Sequence, residues 1–375
     1  MYYLTFVIFM TVVLAVTFGG HYAIYRSLVY FFEITAVRIK FLLFSALVFL
    51  SISYVLASLI SRVSENQVTR FFYYISSLWL GIAAHLLLGI GIAWVLLLFA
   101  RSVHLDLDTV VLGVFVLVGT VGFSVYGAIN VRGLTVKNLT VSIAGLPAEW
   151  QGKKIAQISD VHLGYALSGD FLESIVSAVN REKVEAVVIT GDLLDGMDYN
   201  LDAGLESLEN LTAPKGAFYI TGNHETYLGV ARAYEALRKQ KNVHILDDAA
   251  VNEGGLQIVG VSSPEQRFTK DVVGTIRAMK GFSEKLPTIL LYHNPASAKE
   301  IAQSGLVDLQ LSGHTHHGQI VPAMLFSRLV YGKYYFGEHH ENDYTLYTTS
   351  GAGVWGPTMR TGSSSEIVII TLEKK

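Results

Sequence analysis

Cysteine is absent from this 375-residue chain, so disulfides and thiolate metal sites are excluded and any metal must be held by oxygen and imidazole nitrogen. Proline is scarce, with seven residues in all, and no low-complexity tract or internal repeat interrupts the sequence, which leaves no room for a long extended linker. Charge is almost missing from one region, since residues 1–130 hold only six basic and four acidic side chains. Basic runs are missing from the other. Residues 131–375 hold 22 basic and 27 acidic side chains, a net charge of −5, which excludes the electrostatic footprint of a nucleic-acid binder.

Apolar residues are abundant instead. They make up 51% of the chain, and the mean hydropathy of +0.41 is too high for a wholly soluble protein. Residues 4–24, 41–60, 71–100 and 110–129 each supply the roughly 20 apolar positions that a helix needs to cross a bilayer. No basic residue precedes the first of these stretches, so it reads as a spanning helix and not as a signal peptide. His85 falls inside the third, where an ionisable group is a functional candidate and a neutral, hydrogen-bonded ring is the alternative. Loop charges are tied at four basic residues on each side. The first helix has none before it and Arg26, Arg38 and Lys40 after it, so an external amino terminus is expected. Four spans then put the rest of the chain on the extracytoplasmic face of the cell membrane.

After the boundary at residue 130, positions 131–152 alternate in polarity through Val136, Leu139, Val141 and Ile143, which predicts a lead-in strand. Residues 153–375 form one compact domain of repeated strand, motif and helix. Five short apolar runs, at 154–159, 186–190, 217–221, 288–292 and 307–312, read as buried strands, and each leads into a polar motif. Those motifs are Asp160-Val161-His162, Gly191-Asp192-Leu193-Leu194-Asp195, Gly222-Asn223-His224-Glu225, His293-Asn294 and Gly313-His314-Thr315-His316-His317-Gly318-Gln319. Ligand-bearing residues of such sheets gather beyond the strand carboxyl ends, so the five motifs should meet at one rim. Imidazoles and carboxylates without sulfur suit Mn, Fe, Zn or similar ions. Helices are expected after Asp170 and Glu173 as a capping box, along Leu201, Leu205, Leu208 and Leu211, and after Ser297 with Glu300.

The ordered set of motifs resembles the calcineurin-like metallophosphoesterases. The closing segment Gly351-Ala352-Gly353 and Gly356-Pro357-Thr358-Met359-Arg360 is similar to that of the bacterial membrane-associated branch with an N-terminal transmembrane anchor. The resemblance implies a four-layer α/β/β/α sandwich behind an all-α four-helix transmembrane region, and hydrolysis of a phosphate ester or pyrophosphate with two divalent metal ions. It implies that Asp192 bridges the ions, that Asp160, His162 and His316 complete one site, and that Asn223, His293 and His314 complete the other. His224 would be the catalytic residue that stabilises the transferring phosphoryl group or protonates the leaving oxygen. Glu225 either orients His224 or faces the amino end of a helix, and Asp195 would hydrogen-bond loop backbone or a ligand histidine. Arg360 is a candidate for substrate phosphate or a solvated surface residue. His317 stands where the pattern has glycine and receives no role by analogy.

The apolar and aromatic run from Val321 to Phe336, with Arg328 and Lys333, either folds back as core of the closing strands or lies on the membrane interface, and the second reading points to a phosphorylated lipid or lipid-linked nucleotide as substrate. Some relatives with these motifs are UDP-diacylglucosamine hydrolases, the leading specific guess if the domain is cytoplasmic. Two other readings are a membrane-tethered metal-binding or sensing module without turnover, and a phosphodiesterase for a soluble nucleotide.

Overall fold

The computed structural model describes residues 2–64, 66–196, 200–264 and 270–375. Two compact units emerge, one of residues 1–129 with Gly356–Met359 and one of residues 130–355 with Arg360–Lys375.

The first unit holds helices α1 (Tyr2–Phe31), α2 (Val37–Val63), α3 (Gln67–Ser102) and α4 (Thr109–Asn130). All four are long and apolar enough to cross a membrane. Local polar groups set two of the starts. Asn66 Oδ1 accepts from the Val68 and Thr69 amides at the start of α3, and Asp108 Oδ1 accepts from Val110 and Val111 at the start of α4. Polar side chains lie inside this unit: Trp79 donates to His21, Trp94 to Ser27, and His85 pairs with Ser124 at 2.9 Å. His85 therefore takes the hydrogen-bonded form of its two expected readings. The Gly356–Met359 segment joins the same unit through Ser77, whose hydroxyl lies 2.6 Å from the Gly356 carbonyl and accepts from the Thr358 amide. This excursion of the late chain was not foreseen by a boundary at residue 130.

The second unit continues in chain order with β1 (Thr135–Ile143), β2 (Lys154–Ile158), α5 (Gly169–Arg181), β3 (Ala186–Thr190), α6 (Leu201–Leu205), β4 (Ala217–Ile220), α7 (Asn223–Leu228), α8 (Val230–Leu237) and β5 (Val243–Ile245). Its later part comprises β6 (Ala249–Glu253), β7 (Leu256–Val261), α9 (Val272–Ala278), β8 (Thr288–Tyr292), α10 (Ala298–Ser304), β9 (Leu309–Ser312), α11 (Ala323–Tyr331), β10 (Gly337–Glu341), β11 (Tyr344–Thr348) and β12 (Glu366–Lys374). These strands form two six-stranded sheets, ordered β1-β12-β2-β3-β4-β5 and β10-β11-β9-β8-β7-β6.

Three apolar clusters make the layering. Ile155, Val188 and Phe218 of one sheet pack with Ile258, Leu291 and Leu311 of the other to form the central core. Outer faces bury against helices, with Leu172 and Ile175 of α5 on the first sheet and Ile276 of α9 and Ile301 of α10 on the second. The result is the α/β/β/α sandwich, whose sheets must be apolar on both faces because both are covered. The five expected strands correspond to β2, β3, β4, β8 and β9.

Helix ends depart from expectation. Ser168 and not Asp170 precedes α5, and neither Ser168 nor Ser297 makes a side-chain cap. The leucine series from Leu201 yields a short α6 followed by a 3-10 turn over Glu206–Asn210.

Candidate metal centre

Strands β2, β3 and β4 run parallel, as do β8 and β9, so their carboxyl ends deliver the five motifs to one rim where the sheets meet. The loops there are backbone-strained. Asp160, His162, Asp192, His314 and His316 all have positive φ, between 49° and 73°. Such left-handed residues cost about 1–3 kcal/mol each and persist where surrounding contacts over-determine them. Two glycines allow the close approach: a Cβ on Gly222 would lie 2.1 Å from Asp192 Oδ1, and one on Gly313 would lie 2.1 Å from Asp160 Oδ2.

Three groups of donor atoms converge, each within 4.8 Å: Asp160 with His162 and His316, His162 with Asp192 and His224, and Asp192 with His293 and His314. Asp192 belongs to two of them. Its Oδ2 lies 3.0 Å from His293 Nε2 and 3.9 Å from His162 Nε2, while Oδ1 accepts the His224 amide at 2.8 Å. Asp160 accepts the His314 amide and lies 3.4 Å from His316 Nε2.

The donors fit divalent metal. His162 Nε2 and His316 Nε2 face each other at 3.0 Å, and His316 Nε2 lies 3.4 Å from Asp160 Oδ1, so two ring nitrogens and a carboxylate oxygen aim at one small volume that suits a cation. His293 donates through Nδ1 to the Thr190 carbonyl at 2.8 Å, which turns Nε2 to the site, 3.0 Å from Asp192 Oδ2. Asn223 Oδ1 is buried and makes no hydrogen bond, and its amide nitrogen lies 3.5 Å from the Tyr227 hydroxyl.

Protonation follows from burial and charge. Burial is the largest single influence and would raise Asp192, but His293, His224 and His162 together outweigh it and hold the carboxyl well below its ordinary range. Burial also opposes a charge on His293, yet Asp192 and Asp160 raise it to about 10. Burial, reinforced by His293, lowers His314 to about 3, and burial with His162 lowers His316, so both rings are neutral with lone pairs available.

His224 donates through Nδ1 to the Asp195 carbonyl at 3.0 Å, and burial lowers its pKa. The Asp195 carboxylate lies 3.4 Å from His162 Nδ1 and 3.6 Å from His224 Nδ1, between two histidines as the sequence suggested. Glu225 does not touch the His224 ring. It accepts from the Gly222, Asp192 and Leu194 amides, at 2.7 to 3.0 Å, and so closes the amino end of α7 while tying down the Asp192 loop. His317 turns away and stacks on Phe336 at 3.8 Å.

Arg360 corrects its expectation in both forms. It is fully buried and donates to the carbonyls of Ser350, Gly351 and Gly353, because a guanidinium shut away from water must spend its donors on backbone acceptors. It clamps the loop behind Asp160, and its Nη2 lies 3.4 Å from His316 Nδ1, so it meets the site through that ring and has no water-facing surface.

Two rim aromatics, Tyr227 and Trp355, escaped the sequence reading, while Tyr331 belongs to the aromatic run between Val321 and Phe336. Tyr227 and Trp355 flank His224 at 5.1 and 5.9 Å between ring centres, and Tyr331 meets His314 edge-on at 5.7 Å. Tyr227 had a signal, lying four residues after Asn223 on one helix.

The family model for calcineurin-like phosphoesterases matches residues 153–318, from β2 to the histidine cluster. A metallophosphoesterase of Campylobacter jejuni is 34% identical over 280 residues, covering 72% of this chain and 70% of the relative. One of Helicobacter pylori is 37% identical over 226 residues, covering 59% of this chain, and the chain spans only 60% of that relative's length. A Danio rerio protein described as a transmembrane protein with a metallophosphoesterase domain is 30% identical, covering 70% of this chain and 62% of its own.

Proposed function

The chain belongs to the calcineurin-like phosphoesterases, and from that premise we propose that it is a membrane-anchored hydrolase of a phosphate ester or pyrophosphate on a lipid-linked substrate. The observation that carries the reading is the Asp192 carboxylate, whose Oδ2 lies 3.0 Å from His293 Nε2 of one ligand set and 3.9 Å from His162 Nε2 of the other. Asp160, His162 and His316 would hold one ion and Asn223, His293 and His314 the other, with Asp192 offering its carboxylate to both. When bound, two divalent ions lower the pKa of a water for in-line attack and neutralise charge on the phosphoryl oxygens.

The chain's own groups do the rest. Asp195 fixes the His224 ring through Nδ1, leaving Nε2 as the atom for the substrate. Burial lowers the pKa of that ring, an anionic phosphoryl group beside it raises the pKa so that Nε2 takes a proton from solvent water, and that proton then passes to the leaving oxygen as its bond to phosphorus breaks. Tyr227 and Trp355, both exposed beside His224, offer a stacking surface to a planar group, which favours a nucleotide as the head of the substrate. The exposed apolar residues after the histidine cluster suit the lipid part. The first unit crosses the cell membrane four times, and the distribution of basic residues about α1 favours an extracytoplasmic catalytic unit.

Product formation by the purified, Mn-loaded full chain tests this: inorganic phosphate from lipid phosphates, and the monoester products from lipid-linked nucleotides and soluble diesters. Turnover is expected on the lipid-linked compounds. Asp192→Asn should abolish it and lower bound metal well below two ions per chain with the fold intact. Equal rates on soluble diesters would remove the lipid, no turnover by the metal-loaded protein would favour a sensing module, and full metal and activity in Asp192→Asn would overturn the bridge.

A further inference from the structure

Among the described residues of the second unit, seven large hydrophobic side chains are exposed. Val136 stands alone on an edge strand, and Tyr227 and Trp355 lie against His224. The other four, Leu325, Phe326, Leu329 and Val330, are all on α11, and Leu329 is 81% exposed. No residue of α11 is buried. At 3.6 residues per turn these four positions fall within an arc of about 140° on one side, with exposed Arg328 at its border. Ser327 and Tyr331 occupy the opposite side, where Tyr331 reaches His314.

The helix is fixed to the metal rim and does not swing on a loop. A Cβ on Gly318 would lie 2.2 Å from Met324, and the Thr315 hydroxyl donates to the Tyr335 carbonyl at 2.6 Å. Whatever covers α11 is thereby held beside His314.

We propose that α11 is an interfacial helix whose Leu325, Phe326, Leu329 and Val330 face lies in the headgroup and acyl boundary of the bilayer. The inference rests on the reading that the first unit crosses that bilayer. Three observations select lipid as the occupant. Only four residues separate α4, long and apolar enough to span, from β1, a tether of about 14 Å when extended, so a bilayer is always within reach. The apolar arc is bordered by Arg328 and followed by Lys333, the basic flank that anionic headgroups attract, with Lys333 also paired to Glu341 at 2.7 Å. The face of a nine-residue helix is also smaller than the roughly 800 Å² per partner of a stable protein interface. Dipped in this way, α11 brings the metal rim to headgroup depth, and a phosphorylated lipid can present its head without leaving the membrane.

Because the chain has no cysteine, single labels are specific. Leu329→Cys, Phe326→Cys and, as a control on the α9 to β8 loop, Glu284→Cys should be made in the full chain, coupled to an environment-sensitive nitrobenzoxadiazole dye and reconstituted in phosphatidylcholine and phosphatidylglycerol vesicles. Dyes at 326 and 329 should emit to the blue and be quenched roughly twofold by shallow spin-labelled lipid, the depth expected of an interfacial helix, while the 284 dye responds only to aqueous iodide. Iodide access and water-like emission at 326 and 329 would overturn the proposal. So would protection from both quenchers with energy transfer between labelled copies, which would assign the face to a second chain. Repeating the measurement in Asp192→Asn separates this outcome from the catalytic reading, since depth needs no turnover.

Discussion

The two units are built on opposite rules. In the first, Phe41, Phe71 and Phe115 point outward at 67%, 66% and 71% exposure while Ser77, His85 and Ser124 are buried. In the second, isoleucine, leucine and valine fill the cores and charge covers the surface. On the proposed reading that hydrocarbon surrounds the first unit, its helices have no hydrophobic reason to associate, so hydroxyls and imidazoles turn inward to bond one another. Water around the second drives the reverse. The difference also isolates two exceptions: α11 carries the first unit's surface chemistry on the second unit, and the metal rim packs carboxylates and imidazoles where the second unit's rule would put aliphatic side chains.

Such an exception is tolerated only where the buried groups have work to do, and the largest expected effect tests that. His224→Ala should slow turnover by roughly a hundred- to ten-thousand-fold while bound metal stays near the wild-type level, as for loss of a general acid or base. Loss of metal would mean that its grouping with His162 and Asp192 reflects coordination.

A smaller effect concerns the buried charge itself. With a pKa raised to about 10, His293 is protonated in the metal-free protein at neutral pH and must lose that proton to bind metal. Metal uptake at pH 7.5 should release a proton from this ring, and apparent affinity should rise about tenfold per pH unit while the ring is charged. The sign for folding is opposite. The stabilisation that protonated His293 gives the metal-free fold is complete below pH 6.5 and fades as pH rises through about 10. Titration calorimetry in buffers of different ionisation enthalpy measures the proton count, and a zero count at this site would break the account.

The smallest effect belongs to the first unit. Ser124→Ala removes the partner of His85 but should cost only about 0.6 kcal/mol, the average for a hydrogen bond between spanning helices, and leave turnover unchanged. A large loss of activity would return His85 to the functional candidates.

Much of this was legible in the sequence because it is written locally. Apolar length marked the four long helices, apolar runs marked β2, β3, β4, β8 and β9, and the polar residues after each run marked the rim. Metal-compatible donor chemistry is a property of side-chain type, so Asp, Asn and His declared it without coordinates. Tertiary structure decided what depends on distant neighbours. The insertion of β12 between β1 and β2 is a long-range pairing that no local pattern encodes. The capture of Gly356–Met359 by the helical unit rests on Ser77, some 280 positions away. Burial of Arg360 depends on a loop folding over it, and periodicity cannot report whether an isolated arginine meets water or carbonyls. The left-handed backbone at Asp160, His162, Asp192, His314 and His316 runs against the intrinsic preference of those residues, so propensity points the wrong way there. Only the amides, glycines and carboxylates converging from five strands hold those angles, and that convergence exists solely in the folded chain.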